Sequence, residues 1–499
     1  MVWVFLRVKS HLQGTTLYLL YICIAVNSDY AEYLFFEHKS AIIITMSDGS
    51  KQNSALDIIF KAYDIRGVVG DELTPELVHD IAQAFAEQMP DGTIAVGRDM
   101  RTDSEALASA FIEGLIAQGR EVLDIGMITT DMSYFAVGHY DLAGGAMITA
   151  SHNPGKYNGI KLTGAGVVQL SADDGLKILK DRVLKGGFKP AKEPGKKLEK
   201  NILTDWVEHT LRFAGTDLKP LRVGVDAGNG MGSVPIPKLQ ELTGLEVSGL
   251  YMELDGTFPN HPANPVLEGA MDDLKTLVAR NELDCGIAFD GDGDRCFFVD
   301  EKGETVEASV LAALLAGTLL NENPKSTVVQ SVVVGDIVRE TVEALGGEVV
   351  QSRVGHSYMQ AVMREHNAIF GCETSGHFYF RDNFFCDSAL ITAVMVLGIM
   401  SETEKPLSEL VRPYRKYQSI PEENIDVADT TKLLIALEKQ YHKATLDQLD
   451  GLSIRTNEWH ASIRPSNTEP FVRLNIEAKN KTTLKAAHVE LKKIIADYS

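Results

Sequence analysis

Apolar and polar positions follow a repeated order from about residue 55 to the C-terminus. A short β-rich apolar run is followed by a Gly/Asp loop, an amphipathic stretch of helical period and a second β-rich run. The three units read TIAVGRDMRTDS–EALASAFIEGLIAQG–EVLDIGMI, LRVGVDAGNGMGS–VPIPKLQELTG–LEVSGLY and STVVQSVVVGDIV–RETVEALGG–EVVQSRVG. Strands that alternate with helices form βαβ units in parallel or mixed sheets. We therefore predict three related α/β domains with mixed sheets, with functional loops at the carboxyl ends of strands.

The last part of the chain has a different pattern. A helix (TTKLLIALEKQYH) is followed by two strands (GLSIRTNEWHASIRP and PFVRLNIEAK) and a closing helix (KTTLKAAHVELKKIIADYS). This order predicts a smaller C-terminal α+β domain. We place the four domains at residues 46–204, 205–303, 304–419 and 420–499.

The first 45 residues do not share this pattern. The run LYLLYICIAV (17–26) follows basic residues and resembles the apolar region of a signal peptide. It is too short to span a bilayer, which takes about 20 apolar residues. Met46 opens an ordinary cytosolic N-terminus, so we expect translation to start there and residues 1–45 to be extraneous. An export signal is the alternative. We expect a cytoplasmic protein.

Composition and charge narrow the range of partners. Of the residues, 44% are hydrophobic and 23% charged, which is typical of globular proteins. The net charge of −21 argues against nucleic acid and anionic membranes as partners. It also makes any local basic cluster a candidate phosphate site. The five cysteines show no CxxC pair and no zinc-ligand spacing, which fits reduced thiols.

The most specific motif is FDGDGDRCFFVDE (289–301). Asp290, Asp292 and Asp294 alternate with glycines, so that a tight loop can aim three carboxylates at one point. Hard oxygen ligands of this kind attract Mg²⁺ or Ca²⁺. An EF-hand would need Gly where Arg295 stands and helices where the flanking apolar runs predict strands. We therefore predict a metal loop between two strands.

Two further loops carry polar residues suited to a phosphorylated sugar. GCETSGHFYF (371–380) presents Glu373, Ser375 and His377, which suit the hydroxyls of a sugar and a proton transfer near neutral pH. SIRPSNTEPFVRL (462–474) is a candidate anion site, because arginines, hydroxyls and an amide can bind a phosphate dianion. Its candidate residues are Arg464, Ser466, Asn467, Thr468 and Arg473. For each loop, an ordinary polar turn is the alternative.

The segment TASHNPGKYNGIK (149–161) sets a serine and a histidine on a turn after an apolar run. By itself it is equally well a surface turn, because Asn, Pro and Gly form turns anyway. Three shorter motifs are each weak evidence for a functional site, and they become informative only if they line one shared cleft. They are YDIRG with Arg66, GRDMR with Arg98 and Asp99, and SRVGHS with Arg353 and His356.

Together, TASHNP, DGDGDR, ETSGH and RPSNTEP in this order resemble the α-D-phosphohexomutase superfamily, most closely its bacterial phosphomannomutase/phosphoglucomutase branch. The resemblance runs from about residue 55 to the C-terminus. It implies three related α/β domains and a C-terminal domain around a central cleft. It also implies Mg²⁺ as cofactor and a hexose 1,6-bisphosphate as activator and intermediate.

The resemblance implies roles for individual residues. Ser151 would carry the phosphoryl group, and its oxygen would join Asp290, Asp292 and Asp294 around the metal. Lys161 and His377 would carry protons, with Arg66 beside them. The remaining cleft residues would bind the sugar phosphate: Tyr63, Arg295, His356, Glu373, Ser375, Arg464, Ser466, Asn467, Thr468 and Arg473. His152 would position the serine loop.

The implied reaction interconverts mannose 6-phosphate and mannose 1-phosphate, with glucose phosphates as a second substrate pair. The segment DGTFPNHPANP (255–265) and the Asn of RPSNTEP favour mannose over glucosamine phosphates. A phosphoglucosamine mutase and a non-catalytic sugar-phosphate-binding protein are the alternatives. We expect hexose phosphates as the partners, and a monomer or a homodimer.

Overall fold

A computed structural model of the chain describes residues 56–466 and 471–499, except for the side chains of residues 173 and 174. Of residues 5–45 it describes the backbone of the strands. The chain divides into two compact units, residues 1–59 and 60–499. In the first unit, β4 pairs antiparallel with β1 and β5, β5 pairs with β6, and β2 pairs with β3. These strands are β1 (Phe5–Leu6), β2 (Lys9–Leu12), β3 (Thr15–Tyr18), β4 (Ile22–Asn27), β5 (Tyr30–Glu37) and β6 (Ser40–Thr45). No helix within the described ranges has the length and apolarity needed to cross a bilayer.

Domain I is a mixed sheet flanked by helices. Its strands are β7 (Ile65–Val68), β8 (Ile94–Arg98), β9 (Val122–Met127), β10 (Gly144–Ile148), β11 (Tyr157–Gly164), β12 (Val168–Gln169) and β13 (Lys197–Glu199). Its helices are α1 (Pro75–Gln88), α2 (Ser104–Ala117), α3 (Thr130–His139) and α4 (Lys177–Lys185), and α5 (Leu203–Leu211) leads from it into domain II. The sheet order is β12-β11-β10-β8-β9-β13, and β7 pairs with β11. Strands β8, β9, β10 and β13 run parallel, whereas β11 is antiparallel to β10.

Domains II and III repeat one topology. Domain II has the strand order β15-β14-β16-β17-β18, and domain III has the order β20-β19-β21-β22-β23. In each sheet the first three strands run parallel to one another, and each of the last two is antiparallel to the strand before it. Domain II comprises β14 (Arg222–Asp226), α6 (Ile236–Thr243), β15 (Glu246–Leu250), α7 (Asp272–Asn281), β16 (Cys285–Phe289), β17 (Cys296–Asp300) and β18 (Thr305–Val306). Domain III comprises α8 (Ala308–Glu322), β19 (Thr327–Ser331), α9 (Asp336–Ala344), β20 (Glu348–Ser352), α10 (His356–Glu365), β21 (Phe370–Cys372), β22 (Phe378–Phe380), β23 (Cys386–Asp387), α11 (Ala389–Thr403) and α12 (Leu407–Val411). Domain I contains the same order in β9-β8-β10-β11-β12, so the three domains are structural repeats.

Domain IV is an antiparallel sheet with two helices. Its elements are β24 (Gln418–Ser419), β25 (Glu423–Asp426), α13 (Thr430–Gln440), β26 (Thr445–Asp447), β27 (Leu452–Arg455), β28 (Trp459–Pro465), β29 (Phe471–Ala478) and α14 (Lys481–Ala496). The sheet order is β24-β29-β28-β27-β26, with β25 also paired to β29. Alternate residues of β29 are buried, which is the period expected of a strand with one face on a core.

The hydrophobic cores explain how the domains join. One continuous cluster of buried side chains joins domains I, II and III, and includes Phe135, Trp206, Phe298 and Leu397. Helix α11 is apolar on all sides and buried along nearly its whole length, as expected of a helix packed inside a core. Domain IV has a separate core that includes Ile463 and Leu474. The first three domains therefore share one interior, and the fourth packs its own.

The predicted fold class is confirmed, with local corrections in the C-terminal domain. Three α/β repeats with mixed sheets and a C-terminal α+β domain are present. The segment GLSIRTNEWHASIRP, predicted as one strand, is a hairpin of β27 and β28. The prediction was wrong because the polar Thr456–Glu458 stretch turns the chain, with the Thr456 amide donating to the Trp459 carbonyl. Strands β24, β25 and β26 were also not predicted.

Candidate active site

The three repeats present equivalent hairpins to one place. In each domain the loop between the third and fourth strands of the common order carries a predicted functional motif. These loops follow β10, β16 and β21, and contain Ser151, the Asp290–Asp294 carboxylates and Glu373–His377 respectively. The loops touch one another. Gly291 of the metal loop lies so close to the serine loop that a Cβ there would sit 2.5 Å from the Ser151 carbonyl oxygen, and the Cys296 amide donates to the Gly376 carbonyl at 3.3 Å.

Ser151 occupies a strained turn immediately after β10. Its φ is +50°, a left-handed conformation that is uncommon for a residue other than glycine. The backbone amide donates to Thr149 Oγ1 at 2.9 Å. The side-chain hydroxyl donates to Asp290 Oδ2 at 2.9 Å and lies 3.0 Å from Nδ1 of His152. Strain of this kind clusters at functional sites, and here it presents a hydroxyl to the carboxylates of domain II.

Arg101 holds the serine loop in place. Its guanidinium donates to backbone carbonyls of the loop at 2.6–3.0 Å, and it lies 3.2 Å from the buried carboxylate of Asp99. The carbonyls belong to Ser151, Asn153, Pro154 and Tyr157. A planar fork with five N–H donors is suited to such multiple contacts. Arg101 was not among the predicted site residues, although it ends the GRDMR motif that contains Arg98 and Asp99.

The predicted metal loop brings its three carboxylates together. Oxygen atoms of Asp290, Asp292 and Asp294 lie within 4.8 Å of one another, and all three side chains are buried. Burial raises the pKa of Asp290 to about 6, although Arg295 at 2.9 Å opposes this. Within the described part of the chain, Asp292 Oδ1 and Asp294 Oδ1 have no hydrogen-bond partner. Three buried carboxylates, two of which have an oxygen with no hydrogen-bond donor among the described residues, fit a divalent cation such as Mg²⁺.

Lys161 reaches this cluster from β11 of domain I, where it pairs in register with Met147 of β10. Its ammonium donates to Asp292 Oδ2 at 2.8 Å and to Asp294 Oδ2 at 2.6 Å. Burial lowers the pKa of Lys161, but the two carboxylates outweigh burial and hold that pKa above its ordinary value. In turn, burial raises the pKa of Asp294, but Lys161 and His377 outweigh it and hold that pKa well below its ordinary range. Lys161 is therefore a buried cation at the metal loop.

Thr130 adds a contact that the sequence motifs did not reveal. Its hydroxyl donates to Asp292 Oδ2 at 2.5 Å, and its backbone amide donates to the Asp292 carbonyl at 2.9 Å. The neighbouring Asp131 accepts a hydrogen bond of 2.6 Å from Ser388 of domain III. Burial raises the pKa of Asp131 to about 7. The start of α3 thus ties the metal loop of domain II to domains I and III.

His377 lies among carboxylates. Its Nε2 is 3.5 Å from Asp294 and 3.6 Å from Asp387, and its Nδ1 is 2.9 Å from the Ser375 hydroxyl. Burial lowers the pKa of His377, but Asp294, Asp387 and Glu373 outweigh burial and raise it to about 9. The imidazole is therefore positively charged at neutral pH. Asp387 was not predicted, and its only sequence signal is a carboxylate inside an apolar run.

Glu373 anchors the rest of the ETSGH loop. Its carboxylate accepts from the Gly355 amide at 2.9 Å and from the Tyr379 hydroxyl at 2.7 Å. Next to it, Tyr63 packs edge-on against His356 with ring centroids 5.0 Å apart. Burial lowers the pKa of His356 to about 3, so this imidazole is neutral. The structure therefore places Tyr63, His356, Glu373, Ser375 and His377 in one neighbourhood.

Arg66 extends this neighbourhood to the serine loop. It donates to the Asn153 side chain at 2.8 Å and ion-pairs with Asp64. Arg66 and Ser151 therefore share one loop environment in domain I.

The arginines of the predicted phosphate site lie on adjacent strands of domain IV. Arg464 of β28 is directly opposite Arg473 of β29 in the register. Arg464 donates to Glu422 at 2.9 Å and lies 3.5 Å from Asp450, while Arg473 lies 3.9 Å from Glu422. The Ser466 amide donates to the Phe471 carbonyl at 2.9 Å. Asn467 and Thr468 lie outside the described residues.

Comparison with known proteins gives a consistent set of matches. Four family models match the chain, all described as phosphoglucomutase/phosphomannomutase: alpha/beta/alpha domain I at residues 57–188, domain II at 204–303, domain III at 308–417 and the C-terminal domain at 422–494. The chain is 36% identical over 439 residues to a phosphomannomutase of Escherichia coli K12, covering 86% of this chain and 96% of that relative. It is 37% identical over 429 residues to a Xanthomonas campestris protein named phosphohexose mutases, with 85% and 96% coverage. A crystal structure of a phosphoglucomutase/phosphomannomutase family protein from Burkholderia thailandensis superposes with a TM-score of 0.81 at 30% identity, covering 87% and 96%.

Proposed function

The chain belongs to the phosphoglucomutase/phosphomannomutase family and is a phosphomutase of the isomerase class; we propose that it interconverts mannose 6-phosphate and mannose 1-phosphate. Glucose 6- and 1-phosphate form the proposed second substrate pair. The observation that carries the proposal is the contact between the Ser151 hydroxyl and Asp290. It sets a nucleophilic oxygen on the edge of a carboxylate cluster suited to a divalent cation, in a chain that is 36% identical to a phosphomannomutase.

In the proposed cycle Ser151 carries a phosphoryl group in the resting enzyme. A free hydroxyl of the hexose phosphate attacks this phosphorus, so that the bond between phosphorus and Ser151 Oγ breaks and a bond to the sugar oxygen forms. The sugar hydroxyl passes its proton to one of the two proposed proton carriers, His377 or Lys161, in the unprotonated form of that residue, and the product is a hexose 1,6-bisphosphate. The bisphosphate then turns round, and Ser151 takes back the other phosphoryl group. The net result is movement of one phosphate between C6 and C1.

The residues of the site suit this cycle. Asp290, Asp292 and Asp294 would hold Mg²⁺, which when bound supplies positive charge to the oxygens of the transferring phosphoryl group. Arg101 and Arg66 keep the serine loop rigid through their contacts with its carbonyls and with Asn153.

Lys161 and His377 are the two cationic side chains near the metal loop. Lys161 holds its proton in this arrangement, so we place it first as a charge partner of the phosphoryl oxygens. The roles of Lys161 and His377 as proton carriers rest on the family resemblance.

On the sheet of domain IV, Arg464 and Arg473 would bind the phosphate that does not react. Paired arginine forks suit a phosphate dianion. Glu373 and Ser375 would contact the sugar hydroxyls between the two phosphate positions. Because the bisphosphate must reorient without escaping, we propose that domain IV closes over it.

Phosphoryl transfer to Ser151 tests the proposal directly. We expect the purified protein, incubated with Mg²⁺ and ³²P-labelled glucose 1,6-bisphosphate, to carry label on the peptide that contains residue 151. Ser151→Ala should carry none, and Ser326→Ala, at a serine outside the site, should label like the wild type. Absence of label at residue 151 in the wild type would contradict the enzyme mechanism.

Substrate preference needs a second measurement. Initial rates with mannose 1-phosphate, glucose 1-phosphate and glucosamine 1-phosphate should fall in that order. A clear preference for glucosamine 1-phosphate would replace the proposed substrate with that of a phosphoglucosamine mutase. Labelling of Ser151 without turnover of any of the three sugars would show a carrier protein and not a hexose mutase.

A further inference from the structure

A carboxylate of domain IV lies between the phosphate-binding arginine and domain III. Asp450 stands between β26 and β27, outside the sequence motifs that contain the predicted site residues. Its Oδ2 accepts a hydrogen bond of 3.1 Å from the backbone amide of Val354, in the loop between β20 and α10. The same oxygen is 3.5 Å from the guanidinium of Arg464. One atom therefore contacts both the arginine of the proposed phosphate site and the backbone of the neighbouring domain.

The turn that carries Asp450 is held close to Arg464 by its backbone. Gly451 has a φ of +76°, and a Cβ there would lie 2.4 Å from the Ile463 carbonyl and 2.9 Å from Cα of Arg464. A side chain at residue 451 would push the turn away from β28. The glycine thus brings the Asp450 carboxylate against the arginine.

The contact on the domain III side continues into the sugar loop. Gly355, directly after Val354, donates its amide to Glu373 Oε1 at 2.9 Å, and Glu373 Oε2 accepts from the Tyr379 hydroxyl. Gly355 has a φ of +131°, a backbone conformation that favours glycine. In this conformation the amide of Val354 donates to Asp450, and the next amide, that of Gly355, donates to Glu373. A chain of contacts therefore runs from Arg464 through Asp450 and residues 354–355 to Glu373.

We propose that Asp450 is a positioning residue that couples phosphate binding in domain IV to sugar placement in domain III. The inference rests on the proposed function. Asp450 orients Arg464 for the distal phosphate and, through Val354, sets the loop whose next amide holds Glu373. A phosphate dianion on Arg464 would share the guanidinium with Asp450, so that capture of the phosphate is linked to the contact that docks domain IV on domain III. The sugar and the distal phosphate of the substrate are then positioned together and not independently.

Two substitutions separate the contacts of Asp450. Asp450→Asn keeps an oxygen that can accept from the Val354 amide but removes the negative charge beside Arg464. Asp450→Ala removes both. Glu458→Gln is the matched control, because Glu458 is an exposed acidic residue of the same domain that pairs with Lys479.

We expect Asp450→Ala to raise KM for mannose 1-phosphate about tenfold while kcat changes by less than about threefold. The rise should be smaller in Asp450→Asn, because the contact with Val354 is retained. In Asp450→Ala alone, the ratio of kcat/KM for mannose to that for glucose 1-phosphate should also change. The Glu458→Gln variant should match the wild type in all three quantities.

Kinetics of the intact wild-type chain and these variants decide the matter. Values of KM and of the sugar ratio within twofold of the control in both Asp450 variants would overturn the inference while leaving the mutase activity standing. A fall in kcat with unchanged KM, accompanied by a lower melting temperature, would also overturn it, since that is the mark of a merely structural residue. A wild type inactive on hexose phosphates would overturn the proposed function and this inference with it.

Discussion

The Ser151 hydroxyl donates a hydrogen bond of 2.9 Å to Asp290, although 139 positions separate the two residues in the chain. The contact joins the third-to-fourth-strand loop of domain I to the same loop of domain II. Arg295 donates to the same Asp290 oxygen, also at 2.9 Å. A buried oxygen with two donors is sensitive to any change in its charge.

Asp290→Asn should therefore lower mutase activity at saturating Mg²⁺ by about 100-fold or more, since one charged ligand and one charge-assisted acceptor are lost. Steady-state rates over a Mg²⁺ titration measure this effect. Asp272→Asn, an exposed acidic residue at the start of α7, is the control and should behave as the wild type. A variant that keeps more than half of the activity would argue against Asp290 as a ligand.

Substitution of Lys161 tests whether its ammonium and a bound metal ion each balance the negative charge of Asp292 and Asp294. Lys161→Met leaves the buried carboxylates of Asp292 and Asp294 without their cation, so the free energy of unfolding in EDTA should fall by about 3–5 kcal/mol. Added Mg²⁺ should stabilise the variant more than the wild type, because the cation then replaces the missing charge. Urea titrations with EDTA and with Mg²⁺ measure both effects.

The control for Lys161 is Lys275→Met, since Lys275 is a partly exposed lysine paired with Asp272 on the surface of domain II. It should change stability by less than about 1 kcal/mol. Equal stability of Lys161→Met and the wild type in EDTA would show that Lys161 does not balance the two carboxylates.

Arg101 tests whether rigidity of the serine loop matters. Arg101→Lys keeps the positive charge but cannot reach all four carbonyls that the guanidinium contacts, so kcat should fall about 10- to 100-fold with little change in secondary structure. Arg98→Lys, three positions earlier on a partly exposed side chain paired with Glu105, should stay within about twofold of the wild type. Equal rates for both variants would remove Arg101 from the positioning role.

The pH dependence of stability should carry a signature of His460. Burial lowers the pKa of this histidine to about 3, and Arg455 and Arg339 add to the effect. Because the folded pKa is below the unfolded value of about 6.5, the folded state is favoured above pH 6.5 and loses stability as the pH falls. From pH 7 to pH 5 this residue alone should cost about 2 kcal/mol.

His460→Gln should remove that part of the pH dependence. Free energies of unfolding from urea titrations at pH 7 and pH 5 give the comparison, and the variant should show the shallower decline. His442→Gln, at an exposed histidine of the same domain, should keep the wild-type slope. A slope in His460→Gln equal to that of the wild type would mean that His460 binds a proton in the folded state.

Much of the site could be predicted because each functional loop is local in sequence. The DGDGDR loop places three carboxylates within six positions, and glycines between them leave few ways to fold other than a tight turn. The positions of Glu373, Ser375 and His377 follow in the same way from one short loop. Arg101, Thr130 and Asp450 could not be predicted, since they contact Ser151, Asp292 and Val354, which are far from them in the chain. Asp387 is only ten positions from His377, but it belongs to a different strand, and the sequence does not show that its carboxylate faces the imidazole.

The sequence by itself determined the alternation of strands and helices, the three repeats and the chemical character of each loop. Those properties depend on hydrophobic period and turn residues, which act over a few positions. The tertiary structure alone decided that the loops of three domains meet, that Lys161 reaches Asp292 and Asp294, and that Asp450 touches Val354. Such contacts depend on how the sheets pack through a shared core. The hydrophobic period of a strand (two residues) or of a helix (3.6 residues) does not specify that packing.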